Sequence, residues 1–415
     1  MSTSSSPSRS RAASGLAAGS VLSGLLAYVF FAASTRGLGA AEASPLAVLW
    51  SYWGFAAAGL TFPVQHWITR TAAVLGEDAV RAAWATPARL VAGVVVLTGV
   101  GAWLGRETLF GGDARFALLV ALVGVGAAWM GVVRGLLGAR RRYAAVGALL
   151  VAENLVRCVV AVVLVALGVD DPAVYGVALL LGYTASAVWG SAWRTTPRVG
   201  SVVPGSRPKT TRAFLGGAAG AQLVAQAVLI GGPVLLAVLG GSPTDVTVLF
   251  ATMALYRAPY AVALGQVAQA TGALARLVEA QRLNMMRRVE NAVLAATLVG
   301  SVVGAAVGAW PGPWLVRIVF GEDVRVGQGV SVALAVGSVL ALATLVQGVV
   351  LLAYGHPHRT LAAWLLALVP AASVLLASPG SATTTIAAAF VVAHGAAWLL
   401  LVAATHRARS ALRRA

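Results

Sequence analysis

Twelve apolar runs, each close to the length of a bilayer crossing, follow one another along this 415-residue chain with only short polar connections between them. A hydrocarbon core needs about 20 apolar residues per helix. The runs fall at about 14–34, 46–68, 88–105, 116–137, 146–168, 173–193, 213–239, 246–270, 291–310, 329–353, 360–377 and 383–404. None alternates with the two-residue period of a barrel wall. The expected fold class is therefore an all-α polytopic membrane protein of twelve transmembrane helices in two six-helix bundles. The N-terminal Ser/Arg stretch ahead of the first run could pass for a secretory leader, but the run is longer than the usual core of such a leader. It reads as an uncleaved first span.

Composition agrees with that reading and narrows it. The chain is 59% hydrophobic and 10% charged, against about 25% charged in a soluble domain. Its net charge of +17 sits in short clusters between the apolar runs and not on one polar domain, which argues against a nucleic-acid partner. Counted loop by loop, the even-numbered connections and both termini hold 23 Arg and Lys, and the odd-numbered connections hold 5. Arg134 is counted here with the fourth connection. Positively charged short loops stay in the cytoplasm, so both termini are expected there, in a multi-pass protein of the cell (cytoplasmic) membrane. The surplus also favours anionic lipid headgroups. One cysteine, Cys158, rules out a disulfide framework and CxxC metal sites. The five histidines show no HExxH pattern, so no metal and no cofactor is expected.

The longest polar stretch, Arg194 to Arg212, carries three prolines and falls between runs six and seven. It divides the chain into expected halves at 1–205 and 206–415. "RGLLGARRRYAAVGALL" after the fourth run and "QGVVLLAYGHPHRTLAAWLL" after the tenth share a weak pattern, as in transporters built from two related bundles. No connection is long enough for an extramembrane catalytic domain, so an enzyme is not expected. The Asp170–Asp171 pair before Pro172 reads as a turn.

Polar residues inside the runs are the candidate sites. Arg257 lies near the middle of run eight, where burying an arginine costs about 2.5–3.5 kcal/mol even on lenient scales, so it is expected to face protein or a cavity. Pro259 frees the Leu255 carbonyl and kinks that helix. Arg257 either meets an anionic substrate group or closes an internal ion pair; Tyr256 and Tyr260 beside it either stack on substrate or pack. Glu153 and Arg157, four apart with Asn154 between them, share a helix face as a structural pair or an ion-sensitive element. Gln222 and Gln226 precede a helix break at Gly231–Pro233 and suit interhelical hydrogen bonds or substrate. Gln65, His66 and Arg70 close run two, and Arg36 follows run one. His394, midway through run twelve, is a candidate titrating group or a hydrogen-bonded core histidine.

Four stretches carry a resemblance: "TRGLG" at Thr35–Gly39, "RGLLGARRRYAAVGALLVAENLVR" from Arg134, "ATMALYRAPYAVALGQVAQATGALARLVEAQ" from Ala251 and "VFGEDVRVG" at Val319–Gly327. With twelve spans and a basic central linker, the chain resembles the polysaccharide flippases of the MOP exporter superfamily, whose fold is shared with MATE transporters. Gly272 stands where that pattern has proline, and Val324 where it has an aromatic. The resemblance implies a transporter flipping an undecaprenyl-pyrophosphate-linked or similar lipid-linked glycan by alternating access. It implies glycan-synthesis enzymes as neighbours, a monomer, and cavity arginines that grip the pyrophosphate. Arg257 matches that role in kind and helix, while run one holds no arginine, only Arg36 after it. The alternative is a MATE-type drug or small-molecule exporter coupled to an ion gradient, for which cavity carboxylates are expected. Glu153 is the only carboxylate deep in a run.

Overall fold

The computed structural model describes residues 7–140, 142–192, 211–264, 267–377 and 380–414. They are helical almost throughout, with no strand among the described residues. Ten helices are long and apolar enough to cross a membrane, or twelve if each of two bent pairs is one span. Two compact units divide the chain at Pro208 and Lys209. The expected linker lies almost wholly outside the described residues.

The first unit runs through α1 (Pro7–Leu38), α2 (Ser44–Ala56), a π-helical turn (Ala57–Thr61), α3 (Phe62–Leu75), α4 (Glu77–Ala82), α5 (Ala85–Leu104), α6 (Arg106–Phe110), α7 (Arg115–Ala139), α8 (Tyr143–Ala166), α9 (Pro172–Leu181) and a 3₁₀ segment (Gly182–Ala192). The π turn precedes Pro63, which has no N–H to give, and the widened turn lets the Thr61 hydroxyl donate to the Ala127 carbonyl of α7 at 2.8 Å. α1 lies along α8. Glycine permits this approach: a Cβ on Gly19 would come 2.7 Å from the Gly147 carbonyl oxygen. Phe30 stacks on Trp50 at 4.9 Å, and Trp53 follows at 5.4 Å.

The second unit comprises α10 (Thr211–Ile230), α11 (Gly232–Val238), α12 (Pro243–Tyr256), α13 (Ala258–Leu264), α14 (Val267–Glu279), α15 (Leu283–Ala309), α16 (Pro311–Phe320), α17 (Gln328–Ala353), α18 (Pro357–Ala377) and α19 (Ala382–Arg414). Run seven breaks at Gly231, and α11 leaves α10 at 62°. Run eight, expected as one kinked helix to residue 270, is instead broken at Arg257, with α13 at 53° to α12; α14 then forms a separate element. The reason is Pro259, which cannot donate to the ladder, leaving Arg257 as a single near-helical hinge residue that donates to Met253 and accepts from Ala261.

Large apolar side chains cover the outside of both units. Only 6% of the α5 span and 11% of the α15 span is buried, and Leu97 and Val302 are each 72% exposed. Surfaces of this extent are covered in water-soluble proteins by other protein; here a bilayer is the matching solvent.

At one rim of the first unit, Arg115 bridges Asp113 at 2.8 Å and Asp171 at 2.6 Å, pinning the start of α7 to that of α9. Arg115's hydrogen bonds hold both aspartates below their usual range. Because the folded values are lowered, this contribution is complete above the ordinary aspartate value of about 3.9 and disappears as pH falls through the lowered ones. Arg115→Gln is therefore expected to lower the melting temperature slightly at neutral pH, with the difference closing as pH falls through the lowered aspartate values. A melting series against pH checks it.

Candidate functional site

Among the described residues, each unit brings polar side chains of its apolar helices together. In the first, Glu153 of α8 is 1% exposed and accepts from two arginines: Arg157 at 2.6 Å and Arg134 of α7 at 2.5 Å. Arg157, wholly buried, also donates from Nε to the Leu179 carbonyl at 2.8 Å and from Nη1 to Asn154 at 3.3 Å. Its guanidinium lies over the rings of Trp53 at 4.8 Å and Tyr183 at 5.2 Å. Asn154 passes the network to α1 through Ser23 at 2.8 Å. Six elements, α1, α2, α7, α8, α9 and the 3₁₀ segment, thus meet on this network, whose three charged side chains carry a net charge of +1. The Nε of Arg134 is buried with no hydrogen-bond partner.

Arg134 corrects the loop count made from the sequence. It belongs to no connection: α7 continues to Ala139, and Arg134 is buried inside it. The arginine run at 140–142 made it look like part of a basic turn. The helical register, which sets Arg134 among Met130, Val133 and Leu137 of a buried face, was the signal available.

In the second unit, the hinge residue Arg257 is half-buried, its guanidinium 5.4 Å from the Phe250 ring. Tyr256 hydrogen-bonds Ser331 of α17 at 2.6 Å, so its hydroxyl is engaged by protein. Tyr260 is buried and accepts from Gln226 of α10 at 3.4 Å. Tyr260, Gln222 and His394 share the wall of one small cavity with Thr344, Thr360 and Trp364. The cavity holds about 70 Å³, room for a few ordered waters and far too small for a saccharide. Thr344, Thr360 and Trp364 carried no sequence signal, since each is an ordinary residue of an apolar run.

The remaining candidates lie apart from these clusters within their own unit. Arg36 is exposed in the last turn of α1, and on α3 Gln65 is half-buried and His66 exposed. The side chain of Arg70 lies outside the described residues. Near one end of α19, Arg409 pairs with Glu290 of α15, which also accepts from Tyr354 of α17 at 2.9 Å. Among the described residues no group of three His, Cys, Asp or Glu is placed to hold a metal ion.

No sequence-family model and no curated protein matches the chain. Solved structures do. The chain is similar to a multidrug resistance MATE family transporter of the MOP superfamily, in an inward-facing conformation, with a TM-score of 0.66 at 16% identity over 95% of this chain and 96% of that one. It is also similar to a MATE transporter in complex with MaL6, TM-score 0.61 at 14% identity over 97% of each chain. A third is the Vibrio cholerae MATE transporter VcmN, TM-score 0.56 at 15% identity over 99% of each. At such identities the likeness is one of fold. The chain is a multi-pass, all-helical membrane protein with the fold of MATE transporters of the MOP superfamily.

Proposed function

We propose that the chain is a membrane transporter that carries a solute with a neutral or anionic polar head across the bilayer, and that this solute is a lipid-linked glycan precursor. One observation carries the choice of substrate: among the described residues, the buried carboxylate Glu153 and the partly buried Glu290 are already held by arginine. Glu153 holds Arg134 and Arg157, and Glu290 holds Arg409. A transporter of organic cations needs a carboxylate that can exchange its partner for substrate or proton. Here the charge set within the spans is positive, and Arg257 at the α12–α13 hinge offers a forked donor suited to phosphate oxygens. The bend beside it supports a moving element.

The second reading is a MATE-type exporter of drugs or other small molecules. The likeness to multidrug transporters favours it more directly than it favours glycan flipping, because the fold by itself says nothing of a lipid carrier.

Binding separates the two. A ligand that prefers the folded state at 100 times its dissociation constant adds about 2.7 kcal/mol of stability. A polyprenyl pyrophosphate bearing one sugar is expected to raise the melting temperature of the purified protein by several degrees, and a lipophilic cation such as tetraphenylphosphonium to leave it unchanged. The reverse pattern would establish the exporter reading.

A further inference from the structure

The cavity in the second unit is too small for substrate, yet its wall is chemically specific. We propose that it is a hydrated proton-binding site, with Nε2 of His394 as the acceptor.

His394 sits about 18 Å along α19 and is 1% exposed. Its Nδ1 lies 3.0 Å from the Phe390 carbonyl oxygen. A carbonyl can only accept, so Nδ1 carries the hydrogen and the neutral ring presents Nε2 as a bare lone pair. Trp364 meets the ring edge-on at 5.4 Å and Phe390 at 4.5 Å, which fixes its orientation against the wall. A second observation calls for water beside it. The hydroxyl of Thr360, on the same wall, is buried and has no hydrogen-bond partner; a buried polar group in that position recruits an ordered water when the space allows one.

The chemistry is a simple transfer. A protonated water in the cavity gives its proton to Nε2, the ring becomes imidazolium with Nδ1–H still on Phe390, and neutral water returns. Acceptors for the new N–H are at hand: the Gln222 amide, the Tyr260 hydroxyl and Thr344, whose hydrogen already goes to the Ala341 carbonyl at 2.7 Å. No carboxylate competes. α10 carries no titratable group along its described side chains, α11 and α17 carry none, α18 has only His358 and Arg359 in its first turn, and α14, which reaches the wall through Val267, has Arg276 and the exposed Glu279 in its last turn at the far end of the helix. On α19 the next titratable group is His406, three turns away. Tyr260 is the other titratable group on the wall, and Arg257 acts on it electrostatically from the hinge. Histidine is a side chain that gains a positive charge when it binds a proton, so loading this site places one positive charge beside α13. The existence of the site stands on this geometry; its use to drive export rests on the transport reading above.

The test uses the full chain in lipid nanodiscs with ¹³C-labelled histidine, titrated from about pH 4 to 9 with no substrate and no gradient. Trp364→Phe identifies the His394 resonance by its ring-current shift even if His394→Gln does not fold. The expected result is a single protonation step in that resonance; a resonance constant across the range overturns the site and leaves the transport reading intact. In vesicles, export by His394→Gln is expected to lose its response to an imposed pH gradient. An unchanged response overturns the coupling, while absence of any export by the wild type overturns the transport reading and leaves the proton site standing.

Discussion

Glu153→Gln is expected to abolish recovery of folded protein, although the substitution is nearly isosteric. Arg157 is fully buried, and the carboxylate it shares with Arg134 is the only negative charge in their network. The amide that replaces it could still accept a hydrogen bond, but it would leave two guanidinium charges without compensation. Breaking a buried pair by removing one partner costs about 3–5 kcal/mol, against a total stability of about 5–15 kcal/mol for a typical domain. The loss would be felt at every element the network joins, from α1 through Ser23 to the 3₁₀ segment through Tyr183. The control is Arg134→Met, which leaves a one-to-one pair of Glu153 and Arg157 and is expected to be much milder. Melting temperature and monodisperse yield in detergent measure both. A Glu153→Gln protein that melts like the wild type would show that the three charges do not hold the first unit together.

Arg257→Ala should have the opposite profile: normal folding and a loss of transport. The residue lies at the hinge and is half-buried, and the backbone hydrogen bonds around it, from Arg257 to Met253 and from Ala261 to Arg257, do not involve its side chain. Alanine preserves both and gives up the guanidinium's contact with the Phe250 ring, a loss of about 0.5–2 kcal/mol that the fold is expected to tolerate. Under the proposed reading the guanidinium contacts the charged head of the substrate, and hydrogen bonds to charged groups contribute about 1.5–3 kcal/mol each. Loss of one such contact corresponds to at least a tenfold fall in export rate at limiting substrate. Arg257→Lys keeps the charge but not the fork, and is expected to fall between the two. Full export by Arg257→Ala at normal abundance would remove the residue from the mechanism.

Much of the fold was legible because bilayer crossing imposes a length on each run and the arginine clusters punctuate them. The break at Gly231–Pro233 was visible for the same reason that Pro259 was: proline removes a donor from a helix that has no water to replace it. What the sequence concealed was the severity of the second break. Pro259 announced a kink, but whether a helix bends or stops depends on its neighbours, and here α12, α13 and α14 pack on α17 as separate elements. The Glu153–Arg157 spacing identified a shared helix face, whereas Arg134 joins from another helix, a relation no local spacing encodes. The cavity is a similar case. Gln222, Tyr260 and His394 were singled out one at a time for being polar in apolar runs; that they face one another is a product of tertiary packing, and Thr360 and Trp364 were silent.

Under the proposed reading this MATE-fold chain moves a lipid-linked, anionic-headed glycan rather than a cation. The direct measurement is transbilayer movement of a fluorescent polyprenyl-pyrophosphate-linked sugar in vesicles, read as the rate at which an impermeant quencher reaches it, with uptake of a cationic dye followed in parallel. The reconstituted protein is expected to accelerate the first at least tenfold over empty vesicles and to leave the second at the background rate. Accelerated dye movement with the glycan lipid left at background would contradict that reading.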